Sequence, residues 1–105
     1  MDDQGFLESF FIRNEDLVTR EISGETIVIP VRTRPEGPDS IYTLNELGTV
    51  IWRLLDGKIS GAQIVDEVCR EFDTDPEEAR QDAAAFLREM EGAGLIKQER
   101  GLREK

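Results

Sequence analysis

The chain has 105 residues, with 13 Lys and Arg against 23 Asp and Glu, a net charge of −10 and no histidine. These counts exclude Ser-His-Asp and Cys-His nucleophile pairs, an imidazole acid or base near neutral pH, and histidine-bound metal. So acidic a chain would also be repelled by a phosphate backbone unless it held back a concentrated basic face. Cys69 stands alone, so no internal disulfide forms. Met1-Asp2-Asp3-Gln4-Gly5 has neither the basic nor the apolar segment of a signal peptide, and a soluble, cytoplasmic domain away from the membrane is expected. At this length a fold hides roughly 65% of its unfolded surface. That allows one modest core and little room for a deep enzyme pocket.

In chain order, residues 1–12 read as a flexible arm, with Phe6, Leu7, Phe10, Phe11 and Ile12 able to dock. Leu17-Val18-Thr19-Arg20-Glu21-Ile22 alternates at period two and stops at the turn pair Ser23-Gly24. Thr26-Ile27-Val28-Ile29-Pro30-Val31 follows as a β-branched run, so the two predict a hairpin. Pro30 lacks a ladder donor and favours an edge or a strand end. Residues 32–40 hold two prolines and a glycine and form a loop, after which Ser40 to Leu44 predict a short third strand.

From Asn45 the period becomes helical. Leu47, Ile51, Leu54 and Leu55 share a face, with Asn45 as N-cap and Asp56-Gly57 as the stop. A second helix starts at the capping box Ser60-Gly61-Ala62-Gln63 and carries Ile64, Val65, Val68, Cys69 and Phe72 on one face. A third starts at Asp75, Pro76 and Glu78, with the apolar stripe Ala79, Ala83, Phe86 and Met90. Leu95-Ile96 packs back, and Lys97 to Lys105 form a polar tail that frays. Three short antiparallel strands followed by three helices predict an α+β, winged-helix-like domain over residues 13–97, with residues 98–105 as the tail.

Several residues admit two readings. Cys69 lies between Val65 and Phe72 on an apolar stripe, as a buried inert thiol does. Tyr42 and Trp52 suit either a binding surface or the core. Asp73, Asp75, Glu77, Glu78 and Asp82 cluster at the start of the third helix, where carboxylates suit the helix dipole. They lack the length, glycine and terminal Glu of a calcium loop.

Read in order, Arg20-Glu21-Ile22-Ser23-Gly24-Glu25, Tyr42-Thr43-Leu44-Asn45-Glu46, Ile51-Trp52-Arg53-Leu54-Leu55-Asp56-Gly57 and Ile64-Val65 form a succession. Phe72-Asp73-Thr74-Asp75-Pro76-Glu77-Glu78, Asp82, Phe86-Leu87 and Gly94-Leu95-Ile96 complete it. The succession resembles the PqqD-like family, the RiPP recognition elements of peptide-modifying pathways, over residues 13–97. The resemblance implies a non-catalytic protein, and neither cofactor nor metal is expected. Such a protein binds the leader of a ribosomally made precursor peptide and presents it to a modifying enzyme, often a radical SAM enzyme. It further implies that the leader adds as a strand to the third strand and lies beside the last helix. On this sequence the strand is Ile41, Tyr42, Thr43 and Leu44, and the helix runs from Glu78 to Glu91.

On that helix Ala84, Leu87 and Arg88 lie to one flank of the stripe, and Ala85 and Glu89 to the other. The sequence does not say which flank faces the strand. Small residues at 84 and 85 let a peptide approach, and Arg88 can pair with a leader carboxylate. Members serving pyrroloquinoline quinone synthesis usually carry a cysteine where this chain has Leu55, and the loop Arg32–Asp39 is longer than expected. Both differences favour another peptide pathway. The partners expected are a leader peptide and a modifying enzyme, without nucleic acid or membrane, for a monomer or homodimer. A winged-helix DNA-binding regulator is the alternative. It would have to place residues 73–91, with seven acids and two arginines, in a major groove. The edge of the third strand could also be covered by the N-terminal arm or a dimer mate.

Overall fold

Phe10-Phe11-Ile12, expected at the end of a flexible arm, instead forms with Arg13 the central strand of a sheet in the computed structural model, which describes residues 3–30 and 41–99. The element order is α1 (Asp3–Leu7), β1 (Phe10–Arg13), β2 (Leu17–Ile22), β3 (Glu25–Pro30), β4 (Tyr42–Leu44), α2 (Glu46–Arg53), β5 (Asp56–Ser60), α3 (Gly61–Phe72), α4 (Pro76–Gly92) and β6 (Ile96–Glu99). The fold is α+β. The described residues form two three-stranded antiparallel sheets, ordered β5-β1-β6 and β2-β3-β4.

The first sheet was not foreseen. Phe11 is 0% exposed and Leu7 3%, so the crowd of apolar residues at the start of the chain belongs to the core. Its strand partners are remote in sequence, with Ile12 opposite Asp56 and Lys97. The predicted fraying tail is corrected over its first residues, because Lys97, Gln98 and Glu99 pair with β1. Asp56-Gly57 does stop α2, yet it also opens β5, where the strand register shifts against β1. Gly57 has φ +80°, and a Cβ there would lie 2.7 Å from Cγ2 of Ile12. Glycine takes that φ without strain and leaves room for the Ile12 side chain at the bulge.

The second sheet follows its alternation. Ser23 (φ 54°) and Gly24 (φ 84°) form the two-residue turn, and the pairing runs from Ile22↔Glu25 to Leu17↔Pro30. Pro30 closes β3, a strand end, where its missing donor is tolerated. The predicted loop 32–40 and the start of the third strand at Ser40 lie outside the described residues. The remainder of that strand is β4, paired to β3 through Thr26↔Leu44, Ile27↔Thr43 and Val28↔Tyr42. Thr26 donates to Thr49 Oγ1 (2.8 Å), which donates to the Leu44 carbonyl (3.4 Å). These two buried hydroxyls satisfy one another and fasten α2 to β3 and β4.

The helix caps are those read from the sequence. Asn45 Oδ1 accepts from the Gly48 N–H (2.9 Å). Ser60 and Gln63 exchange both bonds of a capping box. Asp75 accepts from the N–H groups of Glu77 (3.1 Å) and Glu78 (3.2 Å), with Pro76 in the first turn. We expect Asp75→Ala to cost about 1 kcal/mol in urea unfolding. An unchanged midpoint would mean that this cap contributes nothing. The core joins both sheets to the helices through Phe11, Val28, Ile51, Leu55, Ile64 and Leu87.

Candidate functional site

β4 stands at one edge of its sheet. The turn at Ser23-Gly24 fixes which backbone groups are spent. In such a hairpin the flanking pair is hydrogen-bonded and bonded pairs then alternate, so Ile22, Arg20 and Val18 exchange bonds with Glu25, Ile27 and Ile29. Thr26 and Val28 therefore direct their groups to Leu44 and Tyr42. Thr43, between them, points its N–H and C=O away from β3, toward the open edge. Its side chain and that of Ile41, which is 64% exposed, lie on the outer face of the sheet. Leu44 and the half-buried Tyr42 lie on the core face.

α4 reaches the Leu44 end of β4 by way of Phe86, and two aromatic rings mark its orientation. Phe86 reaches the first turn of α2. A Cβ on Gly48 would lie 3.0 Å from the Phe86 ring and 3.2 Å from Leu44 Cβ. Glycine at 48 thus lets Phe86 close in beside the end of β4. The flank carrying Phe86 is the one turned toward the edge strand, and the exposed Asp82, Ala85 and Glu89 continue it toward solvent. On the opposite flank the Arg88 guanidinium lies 4.3 Å from the centre of the Phe6 ring, a cation–π contact. Phe6 in turn packs on Phe11, with ring centres 5.2 Å apart.

Of the residues expected at the site, Ile41, Tyr42, Thr43 and Leu44 lie on or next to the open edge, and Ala85 is exposed on the Phe86 side of α4. Ala84 (1% exposed) and Leu87 (0%) are enclosed in the core, and Arg88 lies over α1, away from β4. The physical reason is α1, which packs on α4 and covers the Ala84 and Leu87 flank. The apolar stripe is accordingly rotated, leaving Phe86 only half-buried. Sequence reasoning passed over Asp82 and Phe86 as groove residues. The signal that could have found them is Gly48, a glycine in the first turn of a helix that marks a close approach.

Trp52 is buried and its carbonyl accepts from Arg13 (2.6 Å). The half-buried Cys69 borders a cavity of about 400 Å³ between α1, α3 and α4, shared with Glu8, Asp66 and Arg80. On the far edge of the β2-β3-β4 sheet Arg53 grips Glu21 through two bonds of 2.6 and 2.9 Å. The hydrogen bond from Arg53 holds the Glu21 carboxyl below its usual range, and Glu21 raises Arg53 in turn. Both groups are exposed, so the pair orders the surface more than it stabilises the fold. Among the described residues no group of three or more Cys, Asp or Glu could hold a metal ion. No described helix is long and apolar enough to cross a membrane.

An open edge strand flanked by one helix offers main-chain bonds to an extended chain and a wall for its side chains. Comparison with known proteins is consistent with this geometry. Residues 25–96 match the family model described as coenzyme PQQ synthesis protein D (PqqD). No curated protein sequence matches the chain significantly. Among solved structures, TbiB1 in complex with the TbiA(β) leader peptide superposes with a TM-score of 0.69 and 24% identity, over 82% of this chain and 94% of TbiB1. The likeness to TbiB1 establishes a shared fold. With the family model spanning both β3 and α4, the chain belongs to the PqqD family.

Proposed function

We propose that the protein is a non-catalytic adaptor that binds the leader of a ribosomally made precursor peptide and presents it to a modifying enzyme. The observation that carries this reading is the edge of β4, where Thr43 turns its backbone groups outward beside the Phe86 flank of α4. Membership of the PqqD family and the fold shared with TbiB1, solved with a leader peptide, support it. The leader adds as a strand to Ile41–Leu44. Side chains on one of its faces enter the groove over Tyr42 and Phe86, and those on the other lie beside Ile41 and Thr43. The chemistry is left to the enzyme, a radical SAM enzyme being the class the family resemblance favours.

The groove wall is acidic. Asp82 and Glu89 are exposed on the flank facing β4, and residues 73–91 hold seven acids against two arginines. The same acidity weighs against DNA as the ligand. A basic residue in the leader complements the wall, so affinity should fall as salt rises and shortens the Debye length to about 3 Å at 1 M. Calorimetric titration with the leader of its precursor peptide tests both points. Saturable binding that weakens with salt is expected. Absence of binding would refute the adaptor reading, and salt-independent binding would reduce the acidic wall to a solvated face.

A further inference from the structure

The sheet that carries β4 has a second edge. β2 lies at the other end of the order β2-β3-β4, and residues 18–22 are all exposed. The pairing that spends the backbone groups of Val18, Arg20 and Ile22 on β3 leaves those of Leu17, Thr19 and Glu21 directed outward. This edge is twice as long as β4, six residues against three. Exposed strand edges of this kind invite pairing with another chain.

Beneath the edge lies a cavity of about 330 Å³. The side chains of Leu17, Thr19 and Glu21 form one side of it, and Arg13, Trp52 and Arg53 face them. Among the lining residues two guanidinium groups meet one carboxylate, in a chain whose net charge is −10. Arg53 is paired with Glu21 and also feels Glu71 of α3, which leaves Arg13 as the cation without a carboxylate partner among the lining residues. The cavity between α1, α3 and α4 has the reverse balance, with Glu8 and Asp66 against Arg80. Bonds among the described residues engage one N–H group of Arg13 and two of Arg53, out of roughly five on each guanidinium. Glu15 and Asp16 precede the strand and do not line the cavity.

We propose that β2 and this cavity form a second strand-addition site, which takes an extended acidic segment of a partner protein. The segment's main chain pairs with Leu17, Thr19 and Glu21. One of its Asp or Glu side chains enters the cavity against Arg13 and Arg53, where a planar guanidinium matches a carboxylate in geometry and charge. Arg13, which donates only to the neutral Trp52 carbonyl among the described residues, selects an acidic occupant over a basic or apolar one. Since β2 and β4 are opposite edges of one sheet, both can be filled together. The site therefore stands whether or not a leader occupies β4.

The test is an NMR titration of the labelled full-length chain with a capped octapeptide of alternating Thr and Glu. Two control peptides are used, one with Lys for Glu and one with backbone N-methyl groups at alternate residues. We expect saturable shifts at the amides of Thr19 and Glu21 and at Arg53 Nε with the Glu peptide. The Lys peptide should give none, and the N-methylated peptide should bind at least about tenfold more weakly, since strand pairing needs its N–H groups. Arg53→Ala, at an exposed position that the fold does not require, should weaken the Glu peptide by a similar factor. Shifts absent from β2, an equal response to the Lys peptide, or indifference to N-methylation would each overturn the proposal. So would dimerisation of the free chain through β2, which would make a second copy the occupant.

Discussion

Phe11→Ala is expected to destabilise the protein by about 3–5 kcal/mol, the cost of emptying an aromatic site in a close-packed core. Phe11 is 0% exposed, sits in the middle strand of the β5-β1-β6 sheet and packs on Phe6. For a domain of this size each kcal/mol lowers the thermal midpoint by about 4–8 °C. The loss is therefore large in calorimetry or urea unfolding, and a substantial part of an ordinary domain's stability of about 5–15 kcal/mol. Lys58→Ala, at an exposed position of β5, should stay within about 0.5 kcal/mol. If Phe11→Ala behaved like Lys58→Ala, the first thirteen residues would be a docked arm and not part of the fold. Arg88 should report the same event, because losing the Phe11 ring loosens Phe6 beneath its guanidinium.

Thr43→Pro is expected to weaken leader binding by about tenfold or more, equivalent to at least ~1.4 kcal/mol. Proline removes the outward N–H of Thr43 and places its ring where the incoming strand would lie. The bonds that hold β4 to β3 run through Tyr42 and Leu44, so the sheet itself is spared. Circular dichroism and the thermal midpoint separate lost binding from lost folding. Thr43→Val keeps the N–H and the β-branched shape and should bind nearly as the parent does. Equal affinity for the proline and valine variants would show that the leader does not pair along β4.

How far the sequence revealed this architecture depended on whether its signals were local. The hairpin of β2 and β3, the caps Asn45, Ser60 and Asp75 and the stop after α2 are short-range matters, decided by neighbours within four residues. All are in the structure at or near their expected positions. The β5-β1-β6 sheet was illegible for the opposite reason. Its strands pair across the whole chain, and Asp56-Gly57-Lys58-Ile59-Ser60 has none of the β-branched alternation that marks a strand.

The same gap carried over to the site. The third strand of the hairpin sheet could be placed, since Ile41 to Leu44 follows a loop and precedes an N-cap, and the family resemblance offered it as the groove strand. The facing side of α4 could not, because it depends on α1 covering Ala84 and Leu87, and α1 is five residues long with no helical period to read. Gly48 held the missing information, but a lone glycine in a helix does not name the ring that approaches it.

The proposed leader site runs along β4 and the Phe86 flank of α4. The most direct measurement is a heteronuclear NMR titration of the full-length chain with its leader peptide. The expected result is saturable shifts at Ile41, Thr43, Asp82, Ala85, Phe86 and Glu89, with hydrogen-exchange protection gained at the Thr43 amide. Shifts centred on Arg88 and Phe6, or on β2, with the Thr43 amide unprotected, would contradict it.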